Sequence, residues 1–318
     1  MSNLNILISS YNEFDYVKLC IQSIRMFADV ETLSVILIDN NSSDGLAEWA
    51  LEQTDIAFIQ NDDPTMPYGQ IINQVCNMLE LQGDLLLLDP HFLLTPSCLS
   101  RMMQVLHDKD NIGAVGPISN CMYKYQRFDE ISDYEKAIEW SIQKTSLENK
   151  RVMALSHEAI LIKERCLSTL NGFDENVQIP LYTIRDFCFR MIENNLTLKI
   201  CQSALLWDSR NTLQPVYPNK HDETLLEAKW GMHYFNSSGN EMLINMIQHK
   251  SQDAINVLEI GCDCGGTLLE IKNLFPNADV YGSELNECAA NIASHFATVT
   301  VNNIEEYNLP YPQICLTT

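Results

Sequence analysis

The chain has 318 residues and a formal net charge of −22 at pH 7, from 20 Lys and Arg against 42 Asp and Glu. That balance disfavours nucleic acid or an anionic membrane surface as the main partner, since both reward clustered Lys and Arg, and a phosphate-bearing ligand would need screening by a metal or by helix N-termini. The eleven cysteines sit scattered in apolar segments (Cys20, Cys76, Cys98, Cys166, Cys188, Cys201), no basic region precedes an apolar run after Met1, and no stretch approaches the roughly 20 apolar residues that cross a bilayer, so a reduced, cytoplasmic protein without a transmembrane segment is expected.

Strand and helix signals alternate from the start. Asn5 to Ser9 reads as a strand, and Phe14 to Phe27 carries helical spacing through Val17, Cys20, Ile21, Ile24 and Phe27. Leu33 to Ile38 is a second strand, and the polar turn from Asp39 to Gly45 caps a helix over Leu46 to Gln53. Ala57 to Gln60 follows as a strand and Gly69 to Leu81 as a helix. Gly83 and Pro90 bound the four leucines Leu85 to Leu88, a strand buried on both faces. This order implies a parallel sheet covered by helices. Pro96 to Leu106 (helix), Ile112 to Val115 (strand), Met153 to Ile162 (strand), Arg165 to Leu170 and Asp186 to Asn194 (helices) continue it. Tyr123 to Asn149 lacks a sheet rhythm and reads as a long excursion. Thr197 to Cys201 and Ala204 to Trp207 read as the last two strands of this part.

Asn236 to Asn240 is a polar seam that reads as a linker between residues 1–235 and 241–318. After it the alternation restarts: helix Glu241–His249, strand Asn256–Ile260, helix Gly266–Phe275, strand Asp279–Gly282, helix Glu287–His295 and strand Thr298–Val301. Cys262 and Cys264 are too closely spaced for a metal knuckle.

The leucine strand delivers Asp89 and His91 to the carboxyl edge of a sheet, where ligands of open α/β folds gather. Two residues apart, the acid and the imidazole can address one phosphate-bound metal. The plainer alternative is a proline turn with a solvated acid and histidine.

Six ordered segments resemble the motifs of family 2 glycosyltransferases with the GT-A fold. They are Ser9-Ser10-Tyr11-Asn12, Ile38-Asp39-Asn40-Asn41-Ser42-Ser43-Asp44-Gly45, Asn61 to Gly69, Leu88-Asp89-Pro90-His91, Leu170-Asn171-Gly172-Phe173-Asp174-Glu175 and Asp186-Phe187-Cys188-Phe189-Arg190. The resemblance covers about residues 4 to 235. It implies an α/β fold with a mixed, mostly parallel sheet flanked by helices, and sugar transfer from a nucleoside-diphosphate sugar to a glycan, lipid-linked or protein acceptor. It places Ser10, Tyr11, Asn12, Asp39, Asn41, Asp44, Gly69 and Asp89 at the donor. Tyr11 would stack on the base, Asp39 would accept a hydrogen bond from it, and Asp44 would hold the turn, with helix capping as its alternative. Gly69 would let the backbone approach the nucleotide, or simply start a helix. Asp89 and His91 stand where the family has two acids that serve sugar and metal. Asp208 stands where many relatives have a metal-closing histidine. The resemblance therefore implies a divalent metal, Mn²⁺ or Mg²⁺, on Asp89, His91 and Asp208, with one carboxylate and one imidazole exchanged between positions. Relatives place Glu-Asp ahead of the last motif, whereas here Thr183-Ile184 stands there. Asp186 is the nearest carboxylate for the general base of an inverting transfer, its alternative being to anchor its helix.

Val257 to Gly266 resembles motif I of class I S-adenosylmethionine-dependent methyltransferases, a strand entering a glycine turn that opens a helix. The resemblance implies a site at Glu259, Gly261, Asp263, Gly265 and Glu284, Glu284 holding ribose hydroxyls. The unit reads as a truncated Rossmann-like fold able to bind this cofactor, or as a docking or dimerising surface that admits a homo-oligomer. Three classes follow: a glycosyltransferase, a non-catalytic sugar-nucleotide-binding scaffold, and a methyltransferase.

Overall fold

A computed structural model describes residues 3–122, 124–144, 148–212, 218–232 and 238–306. Four parallel strands, β1 (Leu4–Ser10), β2 (Leu33–Asp39), β3 (Ile56–Gln60) and β4 (Asp84–Leu88), lie in the order β3-β2-β1-β4. The leucine strand is fully buried, as its unbroken apolar run requires. Its side chains alternate between two cores: Leu85 and Leu87 pack with the helix α3 (Tyr68–Met78), and Leu86 and Leu88 pack with α1 (Phe14–Phe27) and α2 (Leu46–Leu51). Each such leucine contributes about 1.5–3 kcal/mol on removal from water. The chain moves from β1 outward to β3 and then returns past β1 to β4, so the switch in winding falls between β1 and β4, where a crevice opens at the strands' carboxyl ends.

Beyond β4 the sheet becomes mixed. β8 (Ala159–Ile162) is antiparallel to β4 and to β6 (Ile112–Ser119), β6 runs parallel to β9 (Thr197–Asp208), and β5 (Phe92–Leu94) closes the edge antiparallel to β9. β7 (Lys150–Val152) pairs with the first half of β9. The two expected last strands are thus one: β9 takes different neighbours along its length, and the polar pair Gln202-Ser203 continues the extended chain without a break. The short β5 has too few residues to show a period. The excursion from Tyr123 contains a helix, α5 (Tyr134–Gln143), begun by Asp133, whose carboxylate accepts Lys136 N–H. α4 (Cys98–Asp108) and α6 (Glu164–Thr169) fall as expected. α7 (Pro180–Glu193) starts six residues earlier than the expected Asp186, with Pro180 in its first turn, where its missing N–H costs nothing. α8 (Lys220–Trp230), capped by Asn219, has weak amphipathic spacing and gives little periodic signal.

The C-terminal residues form a separate parallel sheet, β10 (Asn256–Ile260), β11 (Asp279–Glu284) and β12 (Thr298–Val301), with α9 (Glu241–Asn245), α10 (Gly266–Leu274) and α11 (Glu287–Ala293). Cys264, Leu269, Ala289, Ile292 and Phe296 join the same apolar cluster as Phe187, Phe189 and Trp230 of the larger unit. The linker expected at 236–240 lies partly outside the described residues. Of its remainder, Gly239 N–H donates to Tyr125 and Asn240 caps α9. The described cysteines are all free. No helix among the described residues is long and apolar enough to cross a membrane.

Candidate active site

The crevice between β1 and β4 is a cleft of about 530 Å³ lined by Ser9, Tyr11 and Asn40 on one side and by Leu88, Asp89 and His157 on the other, with Tyr68, Gln178 and Pro180 also on its wall. Tyr11 is 58% exposed, so its ring is available to a planar ligand. Asp39 is wholly buried at the end of β2; Oδ1 accepts the Ser42 N–H at 3.1 Å, while Oδ2 is buried without a protein partner. An orphaned carboxylate oxygen of this kind is costly unless a ligand donor meets it. Asn40 is the neighbour that lines the cleft, held by Nδ2 donating to Ser9 and to the Ser10 carbonyl.

The other expected donor residues divide. Asn12 and Asn41 adopt left-handed backbone (φ 54° and 63°), and Asn12 Oδ1 accepts Ser43 N–H at 2.8 Å, so the turns after β1 and β2 are stitched together. Ser10 is buried and reaches Glu13 at 3.4 Å. Asp44 is a fastener: its two oxygens accept Phe14 N–H and Leu46 N–H, tying the starts of α1 and α2. Gly69 stands at a close packing contact. A Cβ there would stand 2.6 Å from the Asp174 carbonyl oxygen, because α3 abuts the turn after α6. That turn is latched by Asn73, which donates to the Phe173 carbonyl and accepts the Phe173 N–H.

Asp89 and His91 do meet. Asp89 Oδ1 accepts from the His91 N–H at 2.9 Å and lies 2.7 Å from Nδ1. The His91 ring is buried against Tyr16, with Nε2 3.4 Å from Glu13. Burial works against the Asp89 charge, but hydrogen bonding to His91 and its charge, with Arg210, hold the carboxyl below its usual range. Burial raises Glu13 and Glu158, Asp89 adding to both. Asp89, Glu13 and Glu158 thus crowd this rim against few cations.

Asp208 does not join His91 as a free ligand. It is 1% exposed, and Arg210 engages both its oxygens, Nη2 at 2.6 Å from Oδ2 and Nε at 3.0 Å from Oδ1. The carboxylate expected to share a metal with the His91 imidazole here holds a guanidinium. Among the described residues, no three His, Cys, Asp or Glu side chains form a metal-holding group. A small divalent cation needs only one or two protein ligands when phosphates complete its shell. Asp89 Oδ2 makes no hydrogen bond among the described residues and so offers one such ligand, while the His91 ring nitrogens face Asp89 Oδ1 and Glu13.

Asp186, the expected base, has the partners of a helix anchor. It is wholly buried, with Oδ2 accepting from Arg190 at 2.8 Å and Oδ1 accepting from Trp230 at 3.0 Å and lying 2.8 Å from the Lys229 ammonium. Ile184 is buried beside it. His157 and Gln178 on the cleft wall carried no sequence signal. Gln178 is placed by the Asp222 carboxylate, which accepts the N–H groups of Gln178 and Ile179, a pairing of residues 44 apart.

In the C-terminal unit, Gly261 and Gly265 take left-handed backbone (φ 68° and 84°), and Asp263 does as well (φ 49°). Glu284 fastens the loop, accepting N–H groups of Asp263, Leu285 and Asn286, so the acid expected at ribose hydroxyls already serves the backbone. Burial pushes Glu259 up to about 7, helped by Asp263 and Glu284.

The model of the family described as glycosyl transferase family 2 matches residues 5–166. No curated protein matches the chain. Among solved structures, GalNAc-T7 with UDP, GalNAc and Mn²⁺ aligns with a TM-score of 0.54 at 14% identity, over 72% of this chain and 48% of that one. The mannosyltransferase PcManGT from Pyrobaculum calidifontis, in complex with GDP-Man and Mn²⁺, aligns at 0.49 and 14% identity, over 70% and 59%. TarS from S. aureus aligns at 0.45 and 12%, over 65% and 60%. The chain spans about half to three fifths of the length of these structures. The likeness to GalNAc-T7 is one of fold, the GT-A arrangement.

Proposed function

The chain belongs to glycosyl transferase family 2, and on that premise we propose that its cleft binds a nucleoside-diphosphate sugar and passes the sugar, with inversion, to a hydroxyl of a glycan, lipid-linked or protein acceptor. The observation that carries this reading is the cleft at the switch of winding, which brings Tyr11, Asn40 and Asp89 to one wall system. Tyr11 offers the stacking face and Asp39 Oδ2 the acceptor for a base N–H. Asp89 then stands at the sugar and diphosphate end.

A divalent metal on Asp89 and His91, Mn²⁺ in preference to Mg²⁺ because of the imidazole, would neutralise diphosphate charge when bound. The acceptor oxygen attacks the anomeric carbon as the bond to the diphosphate oxygen breaks, its electron pair leaving with the diphosphate. With Ile184 apolar and Asp186 locked, we assign the acceptor's proton to His157, the imidazole on the cleft wall. General-base catalysis is worth about 10²–10⁴-fold.

Calorimetric titration with UDP, GDP and dTDP in Mn²⁺, followed by release of nucleoside diphosphate from the matching sugar donors, tests the reading. Binding of one base with release is expected. His157→Ala should bind the same nucleotide and lose release. If none of the three nucleotides binds, the donor-site reading fails. Binding without release would favour the second reading, a sugar-nucleotide-binding scaffold, which the apolar Ile184 supports. For the C-terminal unit we propose cofactor binding only, on the open space above Gly261; calorimetry with S-adenosylmethionine decides it.

A further inference from the structure

The chain places a cation of its own near enough to Asp89 to act on its charge. Arg210 follows the end of β9, and three contacts fix it there: Asp208 takes Nε and Nη2, the Arg210 backbone N–H donates to Asp208 Oδ1 at 2.8 Å, and the guanidinium lies 5.9 Å from the Phe92 ring centroid. The segment is itself clamped to the Asp89–His91 turn, because the Ser209 N–H and hydroxyl both donate to the His91 carbonyl at 2.9 Å. β5 and β9 set this register, Phe92 lying opposite Asp208. The side chain keeps 18% of its surface exposed. Nη1 is left uncommitted among the described residues.

We infer that Arg210 binds the diphosphate of the donor, supplying a second positive charge next to Asp89 and His91; this rests on the reading of the cleft as a nucleotide-sugar site. The electrostatics of the rim favour such a charge. Arg210 acts on Asp89, Glu158 and Glu13 as well as on Asp208, so it offsets part of the acid field that a diphosphate would enter. A guanidinium already fixed by a carboxylate loses little freedom when it grips a phosphate oxygen, and its planar fork suits that partner. Asp208 is then a positioning residue: it holds the arginine that faces the leaving group. As the anomeric bond breaks, the electron pair that departs on the diphosphate meets a charge set in advance, which costs no reorganisation during the step.

The test is titration of the tightest-binding nucleoside diphosphate and of its plain nucleoside, in Mn²⁺ and in EDTA. The variants are Arg210→Lys, Arg210→Ala and the pair Asp208→Asn with Arg210→Ala, which leaves no unpaired buried acid to unfold the edge. The alanine variants should lose about tenfold or more in diphosphate affinity, in Mn²⁺ and in EDTA alike, with nucleoside affinity unchanged. Arg210→Lys should recover part of it. Wild-type diphosphate affinity in the double variant, or an equal loss for nucleoside and diphosphate, would overturn the inference while the donor site stands. Failure of the wild-type chain to bind any nucleotide would instead remove the donor-site reading, and the inference with it.

Discussion

Asp208 grips Arg210 across one intervening residue, with Nη2 2.6 Å from Oδ2 and Nε 3.0 Å from Oδ1. Asp208 stands where many relatives have a metal-closing histidine, and was expected as a metal ligand in its place. Asp208 spends its charge on a neighbouring guanidinium, and on the proposed reading the ligands for a cation are Asp89 and His91. In the presence of a bound nucleoside diphosphate, His91→Ala should weaken Mn²⁺ by about tenfold or more, since it deletes a ligand and the partner of Asp89. Asp208→Asn should leave Mn²⁺ affinity within about twofold, a margin set by the small worth of an indirect electrostatic effect. Electron paramagnetic resonance of the bound Mn²⁺ distinguishes the two.

Asp186→Asn should act on stability. The substitution leaves Arg190 and Lys229 without the carboxylate that both engage, and losing one partner of a buried ionic network costs about 3–5 kcal/mol. Urea unfolding should show that loss, while nucleotide affinity of the folded fraction stays at the wild-type value. A wild-type unfolding midpoint with lost turnover would return Asp186 to the catalytic role.

Asp39→Asn should keep the fold and lose the ligand. Oδ1 still accepts Ser42 N–H in the variant, but an amide nitrogen replaces the orphaned oxygen that is offered to the base. A donor facing a donor should cost about 1–3 kcal/mol, or roughly 10–100-fold in affinity for the nucleoside as well as the diphosphate. Calorimetry with the nucleoside isolates this effect from that of Arg210.

Gly69→Ala should destabilise by about 1–3 kcal/mol, because the added carbon meets the Asp174 carbonyl and the α3 start must move. Thermal unfolding measures it. The nucleotide affinity of the folded variant should be close to wild type, as expected of a glycine that serves packing.

Glu259 gives the C-terminal unit a pH dependence whose sign is fixed by linkage. Its carboxyl is pushed up to about 7 by burial, against 4.5 in an open chain. Between those values the folded state holds a proton that the unfolded state has released, so stability falls as pH rises from about 4.5 to 7. Partial exposure reduces the effect to an order of 1–2 kcal/mol. Glu259→Gln should flatten that slope and be relatively more stable at pH 8, measured as unfolding midpoints across the window.

Much of the donor half was legible from residue order. The leucine run, the helices that return it to the sheet, and the polar turns after β1 and β2 are local signals, and they place Tyr11 and Asp89 where the cleft opens. Glycine and asparagine at left-handed positions mark the same turns. Partners distant in sequence were the least legible. Asp186 looks like an available acid until Lys229 and Trp230 fold against it, and Gly69 looks like a ligand's neighbour until Asp174 arrives. β5 and α8 escaped because three residues and a weakly amphipathic helix carry no period.

The amino-acid order by itself determined the alternating strands and helices, the buried four-leucine strand and the turn chemistry at its edge, because these depend on neighbours within a few residues. Only the tertiary structure decided which side chains at that edge are free. A carboxylate becomes a ligand or a fastener according to what packs against it, and Arg190, Lys229 and Trp230 made a fastener of Asp186. Asp208 became the holder of Arg210 because the pairing of β5 with β9 closes the edge around both.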